Sequence, residues 1–307
     1  MNLIVTVDVE ADNQWEPKDL VTIENVFALP RFQALCEKYA VVPTYFTTYE
    51  VASDARAAAM LKGWQDAGKA EVGAHLHPWT TPPYAAGEKG QSFPSELSDD
   101  SLRQKFVALT DVIEKNIGRR PTSYRAGRWG FDMRQAALLA EFGYRADSSI
   151  TPSLSWRKTP GLQGGPGGPD FSRESAAPRM LNETVLEVPM TVLPPGFLRR
   201  PRWLRIFANT TRSQLVSVIR MAKKKGLPAV FMIHSSELVP AGSPYVKDAA
   251  ALEAVYAQLE ELFIFCEQEE ISGISLTEFA KGYLRVRQGR GERMVGEPKR
   301  ESDTDGS

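Results

Sequence analysis

Short, continuous apolar runs alternate along this chain with longer stretches in which apolar residues recur every three or four positions. The runs are typical of strands buried on both faces, and the longer stretches are typical of amphipathic helices. The predicted strands cover 3–8, 41–47, 71–77, a short segment near 123, 143–149, 185–190, 228–234 and 273–276. The predicted helices cover 24–39, 53–67, 99–116, 132–142, 212–225, 248–269 and 277–284. Strands and helices in alternation favour a parallel sheet or barrel.

The length of 307 residues suits one large α/β barrel, and an apolar fraction of 42% is ample for its core. We expect one catalytic unit over 1–285 and a disordered tail over 286–307, which is charged and nearly without apolar residues. Residues 151–184 interrupt the alternation with many prolines and glycines. This insertion is either a flexible loop or a lid that contributes Asp170 or Phe171 to a site.

The formal net charge of −1 does not indicate nucleic acid or an anionic membrane as the main partner. Cys36 and Cys266 lie within helical patterns and are expected to be buried, reduced thiols. The N-terminus lacks the basic and apolar regions of a secretory signal, and no segment reaches the roughly 18 apolar residues of a membrane span. We therefore expect a soluble, cytoplasmic protein, and the sequence leaves its oligomeric state open.

The chain holds three histidines, and two of them, His75 and His77, stand one residue apart at the end of the third predicted strand. Side chains alternate along a strand, so both imidazoles face the same side, where they can share one cation. Imidazole is a common ligand of zinc and similar divalent metals. The alternative is two ordinary hydrogen-bonded histidines in a polar loop.

Further polar groups follow other predicted strands. They are Asp8, Glu10 and Asp12 after the first strand, Arg125, Arg128 and Trp129 after the fourth, Asp147 after the fifth, and His234 after the seventh. The carboxyl ends of parallel strands meet at one rim of an α/β barrel, the face that carries the chemistry. The pattern therefore predicts one shared site, although a turn or a helix cap would explain any one of these groups alone.

A basic segment, 194–211, carries four arginines together with Trp203 and Phe207. Such a patch is typical of a solvated face. It could instead meet an anionic part of a substrate.

Five short motifs, in their order along the chain, resemble the polysaccharide deacetylase superfamily, the carbohydrate esterases with a chitooligosaccharide-deacetylase homology domain. They are Thr6–Glu10, His75–Pro78, Tyr124–Gly130, Asp147–Ser149 and Ile233–Ser235. The resemblance spans about 3–284, nearly the whole expected ordered chain. It implies a distorted (β/α) barrel of seven or eight strands and removal of an N-acetyl group from a sugar.

Two departures from the family pattern alter the expected metal site. The second aspartate of the first motif, a metal ligand in the family, is Val9 here. Glu10 points the same way as Asp8 and can replace that ligand, with Asp12 as the fallback. The two histidines are separated by two positions instead of four. These changes resemble the intracellular branch of the superfamily, which includes enzymes near surface-polysaccharide biosynthesis.

The residues and the resemblance together give a hypothesis for the role of each candidate. Glu10, His75 and His77 hold a divalent cation, expected to be zinc, and Asp8 is the general base, oriented by Arg125. His234 protonates the leaving amine and is held by a carboxylate such as Asp147. The side chains expected to bind the sugar are Trp79, Tyr84, Arg128, Trp129 and Phe171.

The function expected from these features is metal-dependent removal of an N-acetyl group from a sugar or glycan precursor in polysaccharide metabolism. The partner is then a carbohydrate or another N-acetylated small molecule. Two alternatives stay open. One is a metal-independent hydrolase of a cyclic amide with the same fold, and the other is a catalytically degenerate carbohydrate-binding protein.

Overall fold

The computed structural model describes residues 1–12, 20–84, 92–161, 167–194 and 201–295. Its eleven strands in the described residues are β1 (Asn2–Val9), β2 (Thr44–Thr47), β3 (Glu71–Leu76), β4 (Ser123–Ala126), β5 (Ala146–Asp147), β6 (Arg179–Met180), β7 (Leu186–Glu187), β8 (Val192–Leu193), β9 (Arg202–Trp203), β10 (Ala229–His234) and β11 (Ser272–Gly273). The long strands β1, β3 and β10 are almost entirely buried, as their continuous apolar runs predict.

The main sheet has the order β10-β1-β2-β3-β4-β5-β7-β6, with β11 added beside β1. All its pairs are parallel except β6 with β7. Beyond β7 the chain returns to the other end of the sheet, where the Thr191 hydroxyl accepts a hydrogen bond from the Val230 amide of β10 at 2.8 Å. The sheet therefore curls towards a barrel of eight strands, and the predicted fold class is confirmed.

Eight helices cover the outside of the sheet in the described residues. They are α1 (Leu29–Lys38), α2 (Tyr49–Ser53), α3 (Ala55–Asp66), α4 (Asp99–Ile117), α5 (Met133–Glu141), α6 (Arg212–Lys224), α7 (Ala249–Gln268) and α8 (Leu276–Val295). Their ends follow local capping chemistry: the Ser98 hydroxyl accepts from the Ser101 amide at the start of α4, and Gly118 ends that helix at φ +87°. None of the described helices has the length and apolar content needed to cross a bilayer.

Two expectations need correction. The tail was expected to be disordered from residue 286, but α8 continues to Val295, and 296–307 lie outside the described residues. The segment 151–184 is also no simple flexible loop, because it holds the strand β6, and Phe171 within it is buried in the core.

Candidate active site

The register of the central strands brings four of the candidate residues together. Asp8 lies opposite His234 across β1 and β10, and His75 lies opposite Arg125 across β3 and β4. Parallel pairing places these positions at the carboxyl ends of adjacent strands. Glu10 follows directly after β1, and the residue is 3% exposed. The shared rim that the sequence predicts is therefore present.

Asp8 and Arg125 form a buried ion pair at the centre of the rim. Nη1 of Arg125 lies 2.6 Å from Oδ1 of Asp8, and the guanidinium is fully buried. Its Nε donates to the Ser148 carbonyl at 2.9 Å, and the group lies over the Phe46 ring. Burial by itself would raise the pKa of Asp8, but Arg125, with His75 and His234, outweighs it and lowers the pKa. Asp8 is thus held as a carboxylate.

Glu10, His75 and His77 form a compact set of ligand atoms, all within 4.8 Å of one another. Oε2 of Glu10 lies 3.8 Å from Nε2 of His75 and 3.3 Å from Nε2 of His77. Ligand atoms bound tetrahedrally to one zinc at about 2.0–2.1 Å lie roughly 3.4 Å apart. The spacing of this set therefore suits a single divalent cation.

The chemistry of these donors also fits a cation. Nδ1 of His75 lies 2.9 Å from the Arg125 carbonyl, which fixes that nitrogen as the donor and leaves the lone pair of Nε2 facing the carboxylates. Nδ1 of His77 is buried and has no hydrogen-bond partner among the described residues. Burial, with Asp8 and other carboxylates nearby, raises the pKa of Glu10 well above its ordinary value, and burial lowers the pKa of His77 well below its own. A divalent cation would supply the positive charge that this buried group lacks.

Asp12, the fallback ligand, is engaged elsewhere. Its carboxylate accepts hydrogen bonds from the backbone amides of Glu24 and Asn25 at 2.8 and 2.9 Å and from the Asn25 side chain at 2.6 Å. These contacts tie the segment after β1 to the helical turn at Glu24–Ala28. The acid that joins the two histidines is therefore Glu10.

His234 has a carboxylate partner, but it is Glu237 and not Asp147. Nδ1 of His234 lies 2.9 Å from Oε1 of Glu237, and Nη2 of Arg205 lies 2.5 Å from the same oxygen. Nε2 of His234 faces the cavity and lies 3.9 Å from Oδ2 of Asp8. The 3-10 turn Ser235–Leu238 folds Glu237 back beneath the imidazole three residues before it. The expectation that Asp147 holds His234 is corrected on this ground.

Asp147 instead faces Glu187 in a fully buried carboxyl pair. The two residues are opposite each other across β5 and β7, and Oδ1 of Asp147 accepts from the Ser149 hydroxyl at 2.6 Å. Oδ2 of Asp147 and Oε2 of Glu187 are buried and have no hydrogen-bond partner in the described structure. Burial raises the pKa of both groups, and Asp147 raises that of Glu187 further, well above its ordinary value. Two such oxygens are satisfied when they share a proton.

The rim surrounds a cavity of about 400 Å³. Its walls are formed by Asp8, Glu10, His75, His77, Trp79, Ala126, Arg128, Trp129, Trp156, Thr159, Trp203, Arg205, Phe207, His234 and Tyr245. Three of the expected sugar-binding side chains, Trp79, Arg128 and Trp129, thus face this space. Tyr84 and Phe171 do not line it: Tyr84 is 63% exposed and donates to the Thr80 carbonyl, and Phe171 is packed in the core.

Several wall residues were not expected from the sequence. Trp156 and Thr159 come from the insertion 151–184, which therefore contributes to the site through residues other than Asp170 and Phe171. Trp203, Arg205 and Phe207 belong to the basic segment, whose unusual combination of arginine with aromatic residues was the one available signal. Tyr245 stands alone in a loop, and no sequence pattern marks it.

The backbone at the end of β4 has little space and is locally strained. A side chain on Gly127 would collide with the Leu76 carbonyl and lie 2.6 Å from Cδ2 of His77. Arg128 and Trp129 follow with φ values of +53° and +62°, a region that side chains other than glycine rarely adopt. This turn directs both side chains to the cavity, and such conformations cluster at functional sites.

No family model and no curated protein matches the sequence. Solved structures do resemble the fold. A proposed polysaccharide deacetylase from Mycobacterium smegmatis gives a TM-score of 0.59 at 17% identity, over 94% of this chain and 91% of that one. The family 4 carbohydrate esterase from Streptomyces lividans, in complex with acetate, gives 0.45 at 12% identity over 89% and 90%. A family 4 carbohydrate esterase pseudoenzyme from Bacillus anthracis gives 0.47 at 14% identity over 91% and 65%.

At these identities the likeness establishes the fold, and the Mycobacterium smegmatis structure carries that comparison. The polysaccharide deacetylase resemblance of the sequence is thereby confirmed for the architecture. The chemistry depends on the site itself, because one fold hosts many different functions.

Proposed function

We propose that this chain is a divalent-metal-dependent hydrolase that removes an N-acetyl group from a sugar or glycan precursor. The observation that carries the proposal is the arrangement of Asp8. Its Oδ1 is held by Arg125, and its Oδ2 lies 3.8 Å from Nε2 of His75 and 3.9 Å from Nε2 of His234. One carboxylate thus lies between a set of cation ligands and an imidazole that can act as an acid, at the wall of a single cavity.

The cation would be held by Glu10, His75 and His77, and zinc suits two imidazoles with one carboxylate. When bound, it supplies polarisation of the amide carbonyl and lowers the pKa of a nearby water. Asp8 takes a proton from the attacking water through Oδ2, because Arg125 already occupies Oδ1.

The leaving nitrogen faces His234. Its Nε2 is directed to the cavity while Nδ1 is held by Glu237, so the ring is oriented to give a proton from Nε2 to the amine. Glu237 holds Nδ1 of His234 and is itself kept ionised: burial would raise its pKa, but Arg205 together with His234 outweighs burial and lowers the pKa of that carboxyl. The products would be acetate and a free amino sugar.

The test combines metal analysis of the purified protein with acetate release from N-acetylated sugars. Asp8→Asn should abolish turnover and keep the metal, and His75→Ala should lose both. Asp12→Asn is the matched control: it removes an acid from the same loop and should keep metal and turnover, with a stability loss of about 1 kcal/mol because a neutral amide bonds less strongly to the backbone amides of Glu24 and Asn25.

Each alternative has its own outcome in this test. Full metal content and full rate in His75→Ala would contradict the ligand assignment. Turnover of a cyclic amide by metal-free protein would favour the metal-independent hydrolase. A metal-loaded protein that binds a glycan and releases no acetate would favour the degenerate carbohydrate-binding protein.

A further inference from the structure

Four aromatic rings form a continuous row along one wall of the cavity: Trp129, Trp203, Phe207 and Tyr245, called the aromatic row below. The ring centroids of Trp129 and Trp203 are 6.2 Å apart, those of Trp203 and Phe207 6.2 Å, and those of Phe207 and Tyr245 5.4 Å. The last two pairs meet at 85° and 83°. Trp129 and Trp203 meet at 64°, so every neighbouring pair is steeply inclined and two pairs are nearly perpendicular, and the row forms a corner with several faces instead of a flat platform.

The aromatic row lies beside the group proposed to protonate the leaving amine. The guanidinium of Arg205 lies 5.1 Å from the Phe207 ring and 5.5 Å from the Tyr245 ring. The same guanidinium is 3.0 Å from Nδ1 of His234. Arg205 thus connects the row to the His234 side of the site.

A different aromatic side chain covers the cation side. The indole of Trp79 stacks on the His77 ring, with centroids 4.2 Å apart and an interplanar angle of 23°. Aromatic side chains therefore lie both against the ligand set and against the acid, and Trp156 adds a further ring to the walls.

We propose that the aromatic row is the subsite for the amine-bearing sugar, and that it accepts one terminal N-acetylated hexosamine unit or a small conjugate of one. This inference rests on the proposed function. The amide nitrogen must face His234 to receive its proton, so the sugar attached to that nitrogen lies against the row and the acetyl group lies towards Trp79. Aromatic faces pack well on the C–H faces of a sugar ring.

The size and shape of the cavity support a single unit. A volume of about 400 Å³ lies near the lower end of the usual range for small-ligand sites. Successive units of a glycan chain would require a row of rings facing one way along a groove. The perpendicular rings of Trp203, Phe207 and Tyr245 close a corner around one unit instead.

The binding test uses the full chain loaded with zinc and carrying Asp8→Asn, which prevents turnover. Calorimetry would measure the affinity of this protein for N-acetylglucosamine and for its β-1,4-linked tetramer. The same affinities would be measured for proteins that also carry Trp203→Leu or Phe207→Leu. Either leucine keeps an apolar side chain and removes the ring, so affinity should fall about five- to tenfold. Trp64→Leu is the control, because Trp64 packs on Tyr45 away from the cavity and should leave affinity unchanged.

The turnover test uses the same two leucine substitutions in otherwise native protein. They should raise KM with little change in kcat, and mass spectrometry should find one acetyl group removed per tetramer. Loss of several acetyl groups per tetramer, or affinity that rises tenfold or more with chain length, would overturn the inference. So would unchanged affinity in both leucine variants, or no binding of either sugar.

The two proposals fail in different ways. Sugar binding that depends on Trp203 and Phe207, without any acetate release, would contradict the proposed function and support the sugar subsite. Acetate release that neither substitution affects would support the proposed function and contradict the sugar subsite.

Discussion

Arg125→Met should destabilise the fold strongly, because it leaves the charge of Asp8 buried without its partner. Arg125 is fully buried, and Asp8 is 3% exposed. Removal of one partner of a buried ion pair costs about 3–5 kcal/mol. The substitution also removes the donors to the Ser148 carbonyl and hydroxyl, for a further loss of about 1 kcal/mol. Methionine preserves much of the apolar contact with Phe46, so the total expected loss is about 4–6 kcal/mol.

The measurement is the free energy of unfolding in urea at pH 8, with a chelator present so that bound metal does not contribute. Natural domains have about 5–15 kcal/mol of stability, so a loss of this size should move the unfolding midpoint to much lower urea. Arg31→Met is the control. Arg31 also pairs with a carboxylate at 2.7 Å, that of Glu253, but both side chains are at least half exposed, so its loss should stay below about 1 kcal/mol.

A second substitution separates charge from packing. In the Arg125→Met protein, adding Asp8→Asn removes the unpaired charge and should recover about 2 kcal/mol or more. If Arg125→Met costs no more than the Arg31 control, the buried pair does not hold Asp8 as described. If the double variant shows no recovery, the loss comes from packing, and the electrostatic reasoning is wrong.

Two further predictions concern the buried carboxyl groups. Glu237→Gln should lower kcat by about 100-fold with metal content unchanged, because His234 loses its charged partner. Asp147→Asn should affect kcat far less. Equal losses of kcat in steady-state assays would contradict the assignment of Glu237 as the partner of His234. Burial and Asp147 raise the pKa of Glu187, so its contribution to stability is complete at low pH and is lost as pH rises through the raised value. Glu187→Gln should remove that pH dependence. The difference in unfolding free energy between the variant and the natural protein should shift in the variant's favour by at least ~1 kcal/mol from pH 5 to pH 9. Parallel curves of unfolding free energy against pH, measured in urea, would refute this prediction.

Much of the architecture follows from local sequence patterns. Apolar runs specify β1, β3 and β10, and the caps at Ser98 and Gly118 bound α4 within a residue of the expected ends. The two-residue period of a strand also places Asp8 with Glu10, and His75 with His77. These features depend on neighbours in the chain, so sequence reasoning reaches them.

The partner of His234 depends on tertiary structure. Asp147 was the expected partner because it ends a neighbouring strand at the same rim. The turn after β10 instead brings Glu237 back to the imidazole, and Asp147 pairs with Glu187 across β5 and β7. Which carboxylate contacts a buried imidazole depends on how loops fold over the rim. The periodic pattern of apolar and polar residues does not predict how those loops fold.

By itself the sequence determined the order of strands and helices, the rim on which the polar groups gather, and the donor types suited to a divalent cation. The tertiary structure decided which groups touch and what encloses them. The aromatic row joins residues 129, 203, 207 and 245, which share no local pattern. The physical reason is range: capping and periodicity act over a few residues, whereas the walls of a cavity are set by the packing of segments that are distant in the chain.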